Sequence, residues 1–354
     1  MCAECHSTNL QKNYDMEKDV FDTSWSEIDV SCEACHGPAS RHISWAGKKA
    51  GWESVSDKGL DVLFDERKDV LWKMNAKTGS AERSTKRETR TEIDVCAQCH
   101  SRRSVISSDY SPGKPFLDHY MPRLLDENMY HADGQIQDEV YVYGSFLQSK
   151  MQHSGVTCSD CHEPHSLSLR LPGNGVCLQC HAAEEFESKK HHFHEVVTTG
   201  ASCAECHMPE TTYMVVDPRR DHSIRIPRPD LSVSLGTPNA CNQCHTDKDA
   251  RWAANNVKQW YNRFPVGHQR FAEALDAGRK GNMDAGNMMA LKIRDMQTPD
   301  IARASLISLI PRYLDQSNFD VIQHGLQDKD ATVRMASVSA MEGFPLQMLV
   351  KLVF

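Results

Sequence analysis

The cysteines of this chain all fall in one repeated pattern, in which two cysteines separated by two residues are followed at once by a histidine. In C-x-x-C-H, the two thiols can form thioether bonds to a porphyrin, and the adjacent histidine can bind its iron. The pattern occurs seven times and uses all 14 cysteines. The units are Cys2-x-x-Cys5-His6, Cys32-x-x-Cys35-His36, Cys96-x-x-Cys99-His100, Cys158-x-x-Cys161-His162, Cys177-x-x-Cys180-His181, Cys203-x-x-Cys206-His207 and Cys241-x-x-Cys244-His245. The sequence therefore predicts seven covalent haems c.

Other uses of paired cysteines explain less of the pattern. A tetrahedral zinc site takes C-x-x-C units two at a time, and seven units do not pair evenly. A thioredoxin-type redox site accounts for one such unit beside a strand and a helix, but not for seven. A disulfide within each unit would close a very small loop and would leave the adjacent histidines unexplained. Haem attachment accounts for the cysteines and histidines together.

Eleven of the 18 histidines lie outside these motifs. Neutral imidazole is a common second ligand of haem iron, so we expect most irons to be bound by two histidines and closed to substrate. The predicted second ligands are His42, His119, His131, His153, His165, His191, His194 and His222. His268 and His324 are expected to be surface residues of a helical region. Methionine is the competing ligand, but with histidine in surplus the methionines near the motifs are expected to pack against porphyrin faces.

Composition and charge restrict the partners and the compartment. The 354 residues carry 40 basic and 48 acidic side chains, for a formal charge of -8, and no long basic stripe, so nucleic acid is a poor partner. The sequence contains no run of 18 apolar residues, so no transmembrane helix is predicted. Because haem c is attached outside the cytoplasmic membrane, we expect a periplasmic or extracellular protein. The first motif begins at Cys2, so we expect that an export signal has been removed or truncated from this sequence.

Seven motifs within the first 246 residues leave little chain for a conventional core. The predicted fold is mainly α with much irregular coil, in which residues 1–246 form a heptahaem cytochrome c domain wrapped around stacked haems. Residues 77–90 are polar and predict an exposed loop, and residues 139–143 alternate in a way that allows one short strand.

Residues 247–354 differ in composition, because they lack cysteine and repeat apolar residues at helical spacing. Examples of this spacing are Phe319, Ile322 and Leu326, and then Val333, Ala336 and Ala340. Thr298 and Pro299 predict a helix start, with threonine as the N-cap. Residues 328–334 lie between two short amphipathic helices, a pattern typical of HEAT-type repeats. We expect an α-helical repeat domain over 247–354, truncated after the apolar residues 349–354.

Four segments carry a resemblance to a known group of proteins. They are C-E-A-C-H-G-P-A-S-R-H at 32–42, C-S-D-C-H-E-P-H at 158–165, H-H-F-H at 191–194, and C-A-E-C-H-M-P at 203–209 followed by Asp221 and His222. With the helical tail, the chain resembles multihaem c-type cytochromes, the group that includes the tetrahaem cytochromes of nitrifying bacteria and doubled C-x-x-C-H proteins, fused to HEAT-type or tetratricopeptide-like repeats. The resemblance spans nearly the whole chain. It implies a periplasmic or outer-surface electron carrier, with a further haem motif upstream.

The expected function is a relay of single electrons through seven mostly bis-histidine haems. The expected partners are redox proteins, including other multihaem cytochromes. Two alternatives remain open. One is a reductase of a small nitrogen or sulfur oxyanion at one open haem, with Tyr213, Arg219, Arg220 and His222 lining the pocket; related nitrite reductases often mark that haem with lysine, whereas all seven motifs here end in histidine. The other is a self-assembling subunit of an extracellular cytochrome filament. An electron carrier is favoured over an enzyme.

Overall fold

A computed structural model of the chain describes residues 2–48, 50–51, 53–313, 319–345, 347 and 349–350. Most regular structure is helical, and much of the chain between the helices is irregular. This confirms the mainly α class with irregular coil that the sequence predicts. Of the apolar C-terminal segment at 349–354, residues 351–354 lie outside the described residues. Within the described residues, no helix is both long enough and apolar enough to cross a bilayer.

The helices are mostly short. The α-helices are α1 Cys2–Cys5, α2 Cys32–His36, α3 Ser40–Ala46, α4 Thr91–His100, α5 Tyr143–Phe146, α6 Lys150–His153, α7 Cys158–Cys161, α8 Gly175–Leu178, α9 Ala183–Phe186, α10 Lys189–His192, α11 Cys203–His207, α12 Pro229–Leu235, α13 Cys241–Cys244, α14 Ala250–Tyr261, α15 Ala272–Lys280, α16 Ala285–Arg294, α17 Asp300–Leu309, α18 Phe319–Leu326 and α19 Ala331–Ala340. Turns of 3-10 helix cover Phe116–Asp118, Thr199–Ala201, His268–Phe271, Ile310–Tyr313 and Met341–Gly343.

The strands are two to four residues long. They are β1 Ser7–Thr8, β2 Tyr14–Asp15, β3 Val20–Phe21, β4 Glu27–Ile28, β5 Trp72–Asn75, β6 Ser80–Arg83, β7 Arg103–Val105, β8 Tyr120–Pro122, β9 His162–Glu163, β10 Ser168–Leu169, β11 Glu210–Tyr213 and β12 Asp217–Arg220. Antiparallel pairs form between β1 and β4, β2 and β3, β5 and β6, β7 and β8, and β11 and β12. Such small ladders fasten loops and do not build a core.

The chain divides into two compact units. The first contains residues 1–71, 84–122 and 157–162, and therefore the first four C-x-x-C-H motifs. The second contains residues 72–83, 123–156 and 163–354, and therefore the last three motifs and the C-terminal helices. The sequence-based division into 1–246 and 247–354 follows composition and stays a prediction about domain organisation.

The C-terminal helices of the second unit pack around an apolar core. The residues buried there include Leu275, Met289, Ile301, Leu306 and Ile307. The predicted helical spacing is confirmed at Ile322, Val333, Ala336 and Ala340, all of which are buried in α18 or α19. The side chain of Asp330 accepts a hydrogen bond from the backbone N–H of Thr332 and caps α19.

Three local predictions are wrong. Residues 139–143 form no strand, because Tyr141 has a φ of 61° and α5 begins at Tyr143. The helix predicted from Thr298 begins at Asp300, with Pro299 in the cap position. Part of the predicted exposed loop at 77–90 is the hairpin of β5 and β6, whose turn is closed by Gly79 at a φ of 65°. The hairpin signal was weak because both strands are short and mostly polar.

Candidate haem-binding sites

Each C-x-x-C-H motif contains about one turn of helix, with the histidine inside the helix in α2, α4 and α11 and just after it in the other motifs. The motifs begin at the first residue of α1, α2, α7, α11 and α13, lie within α8 and its continuation, and end α4 at His100. Residues at positions i, i+3 and i+4 share one helix face, so this turn brings both cysteines and the histidine to the same side. No disulfide joins the 14 cysteines, and each is exposed or half-buried. The arrangement fits attachment of a porphyrin by two thioethers and argues against disulfides.

Several motif histidines are oriented through Nδ1. The Nδ1 atom of His207 lies 2.7 Å from the carbonyl oxygen of Arg225, and that of His36 lies 3.3 Å from the carbonyl oxygen of Val62. A histidine that donates from Nδ1 keeps the lone pair of Nε2 for a metal. Burial also lowers the pKa of His207, which favours the neutral form that binds iron.

A hairpin outside the motifs supports the fifth site. Nδ1 of His181 lies 3.0 Å from the hydroxyl of Ser80 in β6, and the backbone N–H of Ala81 donates to the carbonyl of Cys180 at 2.7 Å. The role of Ser80 could not be predicted, because nothing near it in the sequence points to a residue 101 positions later.

Two predicted second ligands face a motif histidine. The ring centres of His191 and His207 are 5.9 Å apart, and those of His194 and His245 are 6.1 Å apart. Two imidazoles that bind one iron from opposite sides have centres about 6 Å apart, because each metal–nitrogen bond is about 2 Å long. Burial, together with the nearby His207, lowers the pKa of His191 to about 4, so this imidazole is neutral at pH 7. Both pairs fit bis-histidine iron ligation.

A glycine makes room for one of these rings. A Cβ atom placed on Gly200 would lie 2.3 Å from Cδ2 of the His194 ring, closer than any real contact allows. On its other side, Nδ1 of His194 lies 2.5 Å from the carbonyl oxygen of His192. The backbone is therefore shaped to hold His194 in one position, as an axial ligand requires.

The other six predicted second ligands differ in their hydrogen-bond partners and in their burial. Nδ1 contacts a backbone carbonyl in His42 with Lys58 at 2.8 Å, in His153 with Ser149 at 2.9 Å and in His222 with Arg220 at 2.9 Å. His119 is buried with Nδ1 3.2 Å from Asp109, His131 is half-buried, and the exposed His165 contacts Glu163 at 3.0 Å. The three with a carbonyl partner have the ring orientation typical of ligating histidines.

His268 differs from its expectation as an ordinary surface residue. Its ring centre lies 5.5 Å from that of His153, and its Nδ1 lies 3.2 Å from the carbonyl oxygen of Gln148. Burial lowers the pKa of His268. The Nδ1 atoms of the two rings thus contact the carbonyl oxygens of two consecutive residues, Gln148 and Ser149. This pairing could not be predicted from the sequence, because the two histidines are 115 positions apart. His324 is exposed on α18, as expected.

The arginines near the proposed oxyanion pocket are paired with acids. Arg219 lies 3.3 Å from Glu139 and also pairs with Asp217, and Arg220 lies 2.6 Å from Glu205. The guanidinium of Arg219 also stacks over the ring of Tyr141 at 4.8 Å. These pairs offset the positive charge that would attract a small anion.

In the first unit, residues of α4 contact the other three motifs. Nε2 of Gln98 donates to the carbonyl oxygen of Ala34 in the second motif at 2.7 Å. The carboxylate of Glu92 accepts from the backbone N–H of Ser159 at 2.5 Å and from its hydroxyl at 2.8 Å, in the fourth motif. Sγ of Cys5 in the first motif lies 3.8 Å from the carbonyl oxygen of Cys99.

Comparison with known proteins gives partial matches at both ends of the motif region. A model of the cytochrome c552 family matches residues 183–297, and a model of the cytochrome c554 and c-prime family matches residues 1–37. The multihaem cytochrome MtrA of Shewanella baltica strain OS185 is 25% identical over 194 residues, which are 51% of this chain and 52% of that protein. The chain therefore spans about half the length of this curated relative.

One solved structure also aligns with the chain. The crystal structure of the outer cell wall cytochrome OcwA covers 97% of this chain and 75% of its own, with a TM-score of 0.47 and 16% identity. Together with the motifs, the two family models and the curated relative support a multihaem c-type cytochrome that binds haem c covalently and transfers electrons.

Proposed function

We propose that the chain binds seven haems c, one at each C-x-x-C-H motif, and relays single electrons between redox proteins in the periplasm or outside the cell. The observation that carries the proposal is the use of every cysteine in a motif whose helical turn places two thiols and a histidine on one face. Haem iron, when bound, supplies a reversible one-electron couple. The chain supplies attachment, ligands and spacing.

The cysteines and histidines have separate roles in this proposal. The cysteine pairs hold the porphyrin edge, and the motif histidines bind iron through Nε2. His191 and His194 are proposed as second ligands opposite His207 and His245, because of the ring separations of 5.9 and 6.1 Å. His42, His119, His131, His153, His165 and His222 are proposed as second ligands of other irons. Two imidazoles on each iron favour low potentials and leave no position for substrate.

The compartment and partners follow from the chemistry of attachment. Haem c is attached outside the cytoplasmic membrane, so the protein is proposed to work there, with other multihaem cytochromes among its partners.

The C-terminal helices are proposed to form HEAT-type repeats that dock a redox partner. In support, the buried Arg303 of α17 pairs with Asp328, in the segment that joins α18 to α19. This ion pair connects α17 to the α18–α19 pair.

A potentiometric titration of the purified holoprotein tests this function. The absorbance of the haems is followed while the protein is reduced, and the electrons taken up per chain are counted by coulometry. We expect seven electrons per chain, all at potentials below those of histidine–methionine cytochromes. A chain that accepts fewer electrons than it has motifs, or a colourless protein, contradicts the proposal.

The same preparation separates the alternatives. A reductase with one open iron gives a high-spin ferric resonance that shifts when nitrite, hydroxylamine or cyanide is added. An entirely low-spin spectrum, unchanged by these ligands, supports the electron carrier. A filament subunit forms extended assemblies visible by electron microscopy, whereas a monodisperse monomer with every iron internally ligated excludes that role.

A further inference from the structure

The third motif stands at the C-terminal end of α4, the longest helix of the described residues of the first unit. Side chains along α4 reach the first, second and fourth motifs, each through different contacts. The inference developed from these contacts rests on the proposed binding of haem at each motif.

The contact with the first motif involves sulfur and charge. Sγ of Cys5 approaches the carbonyl oxygen of Cys99 at 3.8 Å, and the neighbouring Cys99 lowers the pKa of the Cys5 thiol. Just beyond α4, the buried guanidinium of Arg103 lies 3.5 Å from the carboxylate of Glu4, which stands between the cysteines of the first motif. Nε of Arg103 also donates to the carbonyl of Gln98 at 2.7 Å. The first and third motifs are therefore adjacent at their cysteines.

The contact with the second motif is made from the turn between the third motif's cysteines. Gln98 lies between Cys96 and Cys99, and its Nε2 donates to the carbonyl oxygen of Ala34 at 2.7 Å. Ala34 lies between Cys32 and Cys35. The thiol of Cys35 is also close enough to that of Cys96 for their charges to interact.

The contact with the fourth motif is buried. Glu92, which is 5% exposed, accepts two hydrogen bonds from Ser159, at 2.5 Å from the backbone N–H and 2.8 Å from the hydroxyl. The thiol of Cys96 lies near that of Cys158 and raises its pKa. A buried carboxylate with two donors is costly to displace, so this contact fixes the spacing of the two motifs.

We propose that α4 makes the third motif a three-way junction, at which electrons from the first, second and fourth sites meet. In a haem c site the cysteine sulfurs are bonded to the edge of the porphyrin, so motifs whose sulfurs are neighbours bring their porphyrin edges side by side. Each exchange moves one electron: one iron is oxidised from ferrous to ferric while its neighbour is reduced, and no bond or proton is involved. The last three motifs instead contact in chain order.

The contacts in the second unit supply this comparison. The thiol of Cys177 in the fifth motif lies near that of Cys203 in the sixth and lowers its pKa. Cys206 of the sixth motif is near Cys241 and Cys244 of the seventh. A site in a linear row has at most two neighbours, whereas the junction has three.

Electron paramagnetic resonance on the holoprotein during stepwise reduction tests the junction. A low-spin ferrous iron is diamagnetic. The reduction of one ferric haem therefore removes its magnetic coupling to every neighbouring ferric haem. We expect one reduction step that changes the signals of three other haems at once. A titration in which no step changes more than two other signals overturns the junction. Seven porphyrins by mass together with that result leaves the electron-relay proposal intact, whereas missing porphyrins contradict the relay itself.

A pair of matched variants assigns the effect to the third motif. Cys96→Ala with Cys99→Ala removes one haem, and we expect three others to lose coupling. Cys2→Ala with Cys5→Ala also removes one haem, but is expected to change the signal of the third site only. Equal changes in the two variants overturn the assignment. If the first variant does not fold, the stepwise reduction of the unaltered protein still decides between a junction and a row.

Discussion

The two units of the molecule obtain their cohesion in different ways. In the first unit, four motifs meet around α4, and the buried apolar side chains are few, among them Ile93, Val95 and Phe116. In the second unit, three motifs share the unit with packed helices whose core includes Met289 and Ile301. Each fully buried side chain of this kind contributes about 1.5–3 kcal/mol. The difference indicates that the first unit, with its smaller protein core, depends more on bound porphyrins for its stability than the second unit does.

Removing the haems tests this difference most strongly. We expect protein produced without haem attachment to lose the structure of the first unit, while the C-terminal helices of the second remain folded. Hydrogen exchange followed by mass spectrometry measures this: amides of α4 should exchange freely, and amides of α17 and α19 should stay protected. The holoprotein is the control. Equal loss of protection in α4 and α17 contradicts the comparison.

The buried ion pairs of Arg303 are the next largest effect. Arg303 is 2% exposed, lies 2.5 Å from Asp300 and also pairs with Asp328. Arg303→Ala leaves the largely buried carboxylate of Asp328 and the half-buried carboxylate of Asp300 without their partner, so we expect a loss of about 3–5 kcal/mol in the free energy of unfolding of the helical region.

Arg294 provides the matched control, because its ion pair with Asp320 is exposed. Arg294→Ala should cost about 0–1 kcal/mol. Denaturant unfolding followed by far-UV circular dichroism measures both, and the haem absorbance should be unchanged. Similar costs for the two arginines would show that the helical region lacks the buried network described here.

Replacing one second ligand changes a single site. We expect His194→Ala to convert one low-spin iron to high-spin, because the ring opposite His245 is removed. His324→Ala, on the exposed face of α18, should leave every iron low-spin. Electron paramagnetic resonance of the oxidised proteins compares them. A fully low-spin His194→Ala protein removes His194 from the ligand set.

The smallest of these effects comes from a single methyl group. Gly200→Ala places a Cβ 2.3 Å from the His194 ring, so we expect the ring to be displaced and its site to become partly high-spin. At Gly47, the nearest atom to an added Cβ is 3.4 Å away, and Gly47→Ala should have no such effect. Absorption spectra of the two variants provide the measurement. Identical spectra would show that the ring tolerates the methyl group.

The local chemistry of the sites could be predicted from the sequence, because it lies within five consecutive residues at each motif. The C-terminal helices were also predictable, since their apolar spacing at Ile322 and Val333 is local. Contacts between distant residues were not. Ser80 reaches His181, and Glu92 reaches Ser159 across 67 positions, without any signal in the sequence near either residue.

Second ligands show the same limit. Histidine count and spacing identified His191 and His194, which face motif histidines. The sequence predicts a surface position for His268 because it lies in the helical tail, yet the fold places it against His153. The segments that carry the cysteine motifs show no apolar periodicity from which such pairings could be derived.

Intact mass spectrometry under denaturing conditions, combined with alkylation of thiols, tests the central claim most directly. Covalent attachment at every motif predicts a single species that carries seven haem masses on the polypeptide and takes up no alkylating reagent. A chain with fewer haem masses and alkylated cysteines would contradict the account, and the number of modified cysteines would identify how many motifs do not hold a porphyrin.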